Sequence, residues 1–211
     1  NGVTNFQVNR RNNDEFSLPE QTELKGPNDY AVPVIKVERM TGDLLAIAFG
    51  YACHNTVLND YEWSGDYAGF AQLELEKQYP GVTALFFQGA GGDQNPLPRR
   101  TVALAQLYGK TLATAVEKVL NEDMCNLPSV LSTAYSEIKL PLTTPPTENE
   151  LAKIAEESTD FIKQCAEFLL KKMRSGELLE RTYDYPLQVW QIGDQPIVIM
   201  GGEVVIEYAI E

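Results

Sequence analysis

The sequence predicts an α/β fold, with mixed β-sheets layered with α-helices, and three observations carry that reading. Short apolar or period-two runs alternate with stretches whose apolar residues recur at spacings of three and four. Two pairs of strand-like runs are joined by tight turns, so the sheet cannot be purely parallel. With 211 residues and 44% apolar content, the chain is also long enough to bury a substantial core.

In chain order, residues 1–30 are polar, rich in Asn, Asp, Glu and Pro, and read as loop. "VPVIKVER" (32–39) alternates as a half-buried strand, and "DLLAIAFGYAC" (43–53) is a buried one, with Thr41-Gly42-Asp43 as the hairpin turn between them. Asp66 opens a helical pattern that Pro80-Gly81 ends, and "VTALFFQG" (82–89) is another buried strand. Residues 101–121 form an amphipathic helix, and "VLSTAYSEIKLPL" (130–142) alternates as a strand. One long helix follows, opened by a capping box of Thr147 and Glu150 and stopped by Gly176. Two strands then flank a Gly193-Asp194 turn. No repeat or low-complexity tract interrupts this order, so 1–211 reads as a single domain.

Seventeen basic residues against thirty acidic ones leave a charge of −13. That balance repels nucleic acid and anionic membrane surfaces, and no run of about 20 apolar residues marks a transmembrane helix. Three cysteines, Cys53, Cys125 and Cys165, are scattered without a CxxC pair, which argues against a disulfide scaffold. Both termini read as cuts through a longer protein, so a secretion signal is neither seen nor excluded. Oligomeric state is left open.

Candidate chemistry sits where strands end. His54, the chain's single histidine, directly follows the 43–53 strand, and ligand sites in α/β sheets favour the crevice outside strand carboxyl ends. It reads either as a histidine hydrogen-bonded at a strand end or as a metal ligand. One histidine alone makes no site, because zinc takes three or four N, O or S ligands. The loop Gly89-Ala90-Gly91-Gly92-Asp93-Gln94-Asn95-Pro96 follows the next strand. It is neither GxGxxG nor a Walker loop, which leaves a tight turn or an oxyanion cradle. Glu203 follows an apolar strand and two glycines, either as a helix N-terminal carboxylate or as a cation ligand. Asp66 reads as a helix N-cap or as an acceptor orienting a histidine ligand. Arg10 and Arg11 read as solvated loop charges or as a fork for a carbonyl or carboxylate.

Four blocks, "QVNRRN", "FGYACHNTVL…SGDYAGFAQ", "FFQGAGGDQNP" and "IGDQPIVIMGGEVV", stand in the order found in neutral/alkaline non-lysosomal ceramidases, and across residues 7–208 the chain resembles that family. The resemblance implies a zinc-dependent amide hydrolase, with N-acylsphingosine or another amide or ester as substrate, in an extracellular or periplasmic setting. It implies His54 and Glu203 as zinc ligands and Arg10 as a contact near the scissile amide. Zinc there would polarise the carbonyl and lower the pKa of a bound water.

The chain departs from the family pattern in three places. The second zinc histidine, of an upstream H-x-H-type motif, has no counterpart, and the tyrosine ligand expected after the glutamate falls past residue 211. Asn95 stands where the family has the serine of a G-D-x-S-P loop; an asparagine cannot be usefully acylated but can donate to an oxyanion. The resemblance thus implies a ceramidase-like catalytic domain of which this chain is an inactive part. A non-catalytic domain that binds lipid or glycan is the alternative that Asn95 favours, and a purely structural domain is the third.

Overall fold

A computed structural model of the chain describes residues 1–11 and 25–210, and the fold is α/β as predicted. It divides into two compact units, Asn1–Asn126 with Gly202–Glu211, and Leu127–Gly201.

The first unit is built on a βαβ core. β1 (Gly2–Val3) pairs with β3 (Ala31–Val32), and β2 (Gln7–Asn9) lies between them in sequence. β4 (Val34–Glu38) and β5 (Leu44–Tyr51) form the expected antiparallel hairpin. α1 (Asp66–Gln78) then crosses to β6 (Thr83–Gln88), which runs parallel to β5. A parallel neighbour requires such a crossover, because a tight turn cannot reverse the chain twice. β7 (Gln94–Pro96) pairs antiparallel with β2 in a separate two-stranded ribbon. α2 (Val102–Leu120) is capped by Thr101, whose hydroxyl accepts from the Leu104 N–H.

The core of this unit lies between the β4–β5–β6 sheet and the two helices. Ile47, Phe49, Tyr51, Leu75, Leu112 and Val116 are fully or almost fully buried. Gly109 on α2 is required by the closeness of α1, since a Cβ there would lie 2.5 Å from the Phe70 Cβ and 2.8 Å from the Tyr67 carbonyl. Phe6, from the stretch read as loop, stacks on Tyr108 at a centroid distance of 4.5 Å.

The segment 1–30 therefore holds strands where its sequence suggests loop. β1 and β2 are two and three residues long, too short to show a period, yet Gln7 and Asn9 are buried. Their burial is tolerated because both amides donate hydrogen bonds to carbonyls of residues 27–29.

In the second unit, β8 (Leu131–Pro141), β9 (Thr182–Ile192) and β10 (Gln195–Met200) form an antiparallel sheet in the order β10–β9–β8. The single long helix expected after Thr147 is two helices, α3 (Glu148–Glu157) and α4 (Asp160–Arg174). Ser158 and Thr159 both take extended backbone and Asp160 has a φ of 50°, so the helical hydrogen-bond ladder breaks there without a Gly or Pro. The capping box of Thr147 and Glu150 forms as read, and Gly176, at a φ of 83°, follows the end of α4. The short α5 (Glu207–Ile210) belongs to the first unit.

Candidate metal centre

β5 and β6 end side by side because they are parallel neighbours, and each passes directly into a functional-looking segment. After β5 the chain runs through Cys53 to His54; after β6 it enters the glycine loop. This is the crevice at strand carboxyl ends where α/β sheets gather ligands.

His54 is clamped to the start of β7. The Gln94 carbonyl accepts from the His54 backbone N–H at 3.0 Å and from the ring Nδ1 at 2.9 Å. A carbonyl only accepts, so Nδ1 carries a proton and a neutral ring presents the lone pair of Nε2. Nε2 faces the Glu203 carboxylate, 3.4 Å from Oε2. Arg10 approaches the same oxygen, its guanidinium 3.5 Å away, while also donating to the Gly92 carbonyl at 2.8 Å. Three of the sequence-read site residues, drawn from positions 10, 54 and 203, thus meet at one carboxylate oxygen.

Exposure differs among them. The His54 side chain is 16% exposed and Glu203 is 70% exposed. Glu203 is therefore a solvated carboxylate at the mouth of the crevice, not the desolvated one its apolar flanks suggest. It does not serve the helix that follows either. The N–H of Ile206, just before α5, is taken by the carboxylate of Asp93 at 3.0 Å.

Asp93 is the residue that the sequence reading passed over. It is buried, and its second oxygen accepts from Asn9 Nδ2 at 2.8 Å while its backbone carbonyl accepts from the Arg10 N–H at 2.7 Å. One carboxylate therefore ties the Arg10 segment and the Glu203 segment to the loop whose next residue clamps His54. The available signal was an acid inside a glycine loop, where a buried charge needs several donors.

The glycines have a packing role. A Cβ on Gly91 would lie 2.6 Å from the Cys53 N, and one on Gly92 would lie 2.5 Å from the Glu203 carbonyl oxygen. Gly92 also donates its N–H to the Val204 carbonyl. The loop is a close backbone seam between the His54 and Glu203 segments, as the tight-turn reading holds.

Asp66 is likewise structural. Its carboxylate accepts from the N–H groups of Val57, Leu58 and Tyr67, and the helix N-cap is Gly65 rather than Asp66. It orients the backbone three and four residues beyond His54 and does not touch the imidazole, whose Nδ1 partner is Gln94. Asp66 holds a φ of 52°, a left-handed conformation that Asp tolerates better than most residues. Asn95 lies in the middle of β7, opposite Val8 in the ribbon and half-buried. Arg11 is an exposed turn residue whose N–H donates to the Asn9 side chain.

Two solved ceramidases share this architecture. A ceramidase complexed with C2 superposes at a TM-score of 0.63 with 13% identity, covering 94% of this chain and 40% of that one. The neutral ceramidase from Pseudomonas aeruginosa gives 0.60 with 16% identity, covering 94% and 38%. The chain has a ceramidase-like fold. It spans about two fifths of the length of these ceramidases. No protein-family profile and no curated protein sequence matches it.

The fold raises the question of zinc. Zinc–nitrogen and zinc–oxygen bonds of about 2.0–2.2 Å at a tetrahedral angle put two donor atoms about 3.4 Å apart. The Nε2–Oε2 separation of 3.4 Å matches, and the Nδ1–carbonyl bond is the type of contact that orients ligating histidines. His54 and Glu203 therefore fit as two ligands of such an ion. Among the described residues, no group of three or more His, Cys, Asp or Glu side chains surrounds one point. Among the described residues, no helix is long and apolar enough to cross a membrane.

Proposed function

We propose that this chain carries part of the active centre of a ceramidase-like zinc hydrolase that cleaves a lipid or small-molecule amide, outside the cell or in the periplasm. The observation that carries the reading is the 3.4 Å approach of His54 Nε2 to Glu203 Oε2, with Nδ1 already committed to the Gln94 carbonyl. Two side chains 149 positions apart are brought to a chelating separation by a βαβ unit and a glycine seam.

In this reading His54 and Glu203 hold the metal, and bound zinc supplies Lewis acidity toward an amide carbonyl and a water of lowered pKa. The chain's own groups do the rest. The Gln94 carbonyl fixes the imidazole tautomer, and Arg10 is held at the crevice by Gly92 and Glu203, with guanidinium N–H groups free in number to meet a carbonyl or carboxylate. Asn95, in the serine position of the resemblance, offers a hydrogen-bond donor without a nucleophile. Because the chain spans 40% and 38% of the two solved ceramidases, the hydrolysis is proposed for the complete protein that bears these residues.

The test is zinc content by elemental analysis, together with hydrolysis of N-acylsphingosine and a panel of simpler amides, on full-length protein. Wild type is expected to bind one zinc, and His54→Ala and Glu203→Ala each to lose it along with activity. Undiminished zinc in both variants sinks the assignment. Asn95 supports a second reading, a lipid-binding domain without catalysis. Zinc retention with no turnover, and turnover appearing in Asn95→Ser, would decide for it.

A further inference from the structure

A seam of buried polar side chains lies between the β2–β7 ribbon and the loop of residues 26–30. Gln7 and Asn9 share one face of β2, being two residues apart, and Gln94 is paired opposite Asn9, so its side chain is on that face too. All three amide nitrogens donate into the loop: Gln7 to the Asp29 carbonyl at 2.5 Å, and Asn9 and Gln94 to the Pro27 carbonyl at 3.2 and 3.3 Å. With the nitrogens so committed, the orientation of each amide oxygen is fixed.

The Asn9 oxygen accepts from the Arg11 N–H, but those of Gln7 and Gln94 have no donor. Among the described residues, the buried side-chain atoms lacking a hydrogen-bond partner include Gln7 Oε1, Gln94 Oε1, Thr4 Oγ1 and Asn28 Oδ1. Gln7 and Gln94 are fully buried and Thr4 is 5% exposed. Thr4 is held against the same loop by its N–H bond to the Tyr30 carbonyl. A buried acceptor without a donor costs about 1–3 kcal/mol, so several around one loop call for a compensating group. Every one of these atoms is an oxygen, which is the ligand chemistry of a hard cation.

Charge decides its valence. Asp93 is buried beside this ribbon, and the partners of its carboxylate, Asn9 Nδ2 and the Ile206 N–H, are neutral. The seam oxygens are themselves neutral amides and hydroxyls and Asp93 is the one buried carboxylate at this ribbon, with the Arg10 guanidinium already on the adjacent Gly92 carbonyl, so a single added charge is the most that the surroundings call for. We propose that the space between this ribbon face and residues 26–30 binds a monovalent metal cation, sodium or potassium in size. The ion stabilises the ribbon that carries Asp93 and Gln94, and through them the placement of Arg10, His54 and Glu203. It requires no zinc and no hydrolytic activity.

Thermal unfolding of the 211-residue chain at fixed ionic strength tests this, with sodium, potassium or tetramethylammonium chloride as the salt. The midpoint in sodium or potassium is expected to exceed that in tetramethylammonium by about 3–6 °C at a concentration tenfold above the dissociation constant. In Gln94→Leu the cation-dependent increment is expected to vanish. Sodium-23 line broadening that wild type shows and potassium reverses provides a readout on the folded wild-type chain, should that variant not fold. Equal midpoints in all three salts would overturn the proposal and assign the unpartnered oxygens to water. A rise produced by calcium alone would overturn the monovalent assignment.

Discussion

β5 and β8 are both strands of alternating or apolar sequence, and they end in opposite circumstances. β5 has eight residues, half of them buried, and parallel and antiparallel partners on its two sides. β8 has eleven residues, all exposed, and forms one edge of its sheet among the described residues. The buried strand delivers His54 to a fixed point, because the strand, its neighbours and the helices behind it are packed together. The difference also appears in the cores. The first unit packs Phe49, Tyr51, Leu75, Leu112 and Val116 with thirteen further buried side chains, whereas the second has a cluster of Leu151, Ala166 and Leu170. A candidate site with three residues from distant parts of the chain is found in the unit whose core can hold them still.

The largest expected effect breaks that comparison at its base. Leu112→Ala is expected to destabilise the first unit by about 3–5 kcal/mol, since Leu112 is fully buried within the large core cluster. Leu170→Ala is expected to cost about 2 kcal/mol, because its cluster is small and the neighbours can relax into the space. Hydrogen exchange read separately over residues 44–51 and 160–174 measures both. Equal losses in the two variants would show that the small cluster is as rigid as the large core.

Next in size is the carboxylate that joins the segments. Asp93→Asn keeps the shape of the side chain but turns one oxygen into a donor facing either Asn9 Nδ2 or the Ile206 N–H. A cost of about 2–3 kcal/mol is expected in denaturant unfolding. Exchange at Ile206 and Arg10 is expected to quicken more than exchange in α2, whose hydrogen bonds do not involve Asp93. Uniform quickening across the unit would mean that Asp93 is an ordinary core contributor with no particular hold on the site.

The legible parts of this protein were those with a period. β5, α1, β6 and α2 follow their apolar patterns to within a few residues, and the hairpin turn at Gly42 is where Thr-Gly-Asp placed it. Three of the candidate residues converge: parallel strand ends bring His54 beside the glycine loop, and that loop holds the segments of Arg10 and Glu203 by backbone contacts. What was illegible is polar and short. Gln7, Asn9 and Gln94 are buried amides in three-residue strands, and nothing local distinguishes them from loop residues. Their burial is decided by partners 18 to 84 positions away. The break at Ser158–Asp160 was hidden for a related reason: residues that hydrogen-bond their own backbone are tolerated in a helix and equally able to end one. Asp93 shows the same limit at the site, where its importance comes from three segments that only the fold assembles.

The smallest expected effect lies in the second unit and concerns the capping box. Thr147 donates its backbone N–H to Glu150 at 2.7 Å and its hydroxyl at 2.8 Å, and these bonds hold the Glu150 carboxyl below its usual pKa, the backbone bond contributing most. A depressed carboxylate pKa adds stability that is present above the unfolded value, near 4.3, and is lost as pH falls through the lower folded value. Protonation would replace an acceptor with a donor facing the Thr147 N–H, so the first turn of α3 is expected to fray in acid. Thr147→Ala removes the hydroxyl half of the box, and exchange in the first turn of α3 is expected to rise roughly fivefold at pH 7. The variant is also expected to show a shallower dependence on pH between about 5 and 3 than wild type. Because the contacts are exposed, neither change should reach β5. A matching loss of protection across residues 44–51 would mean that the two cores respond as one, and the contrast between β5 and β8 would then lie in burial alone and not in independent stability.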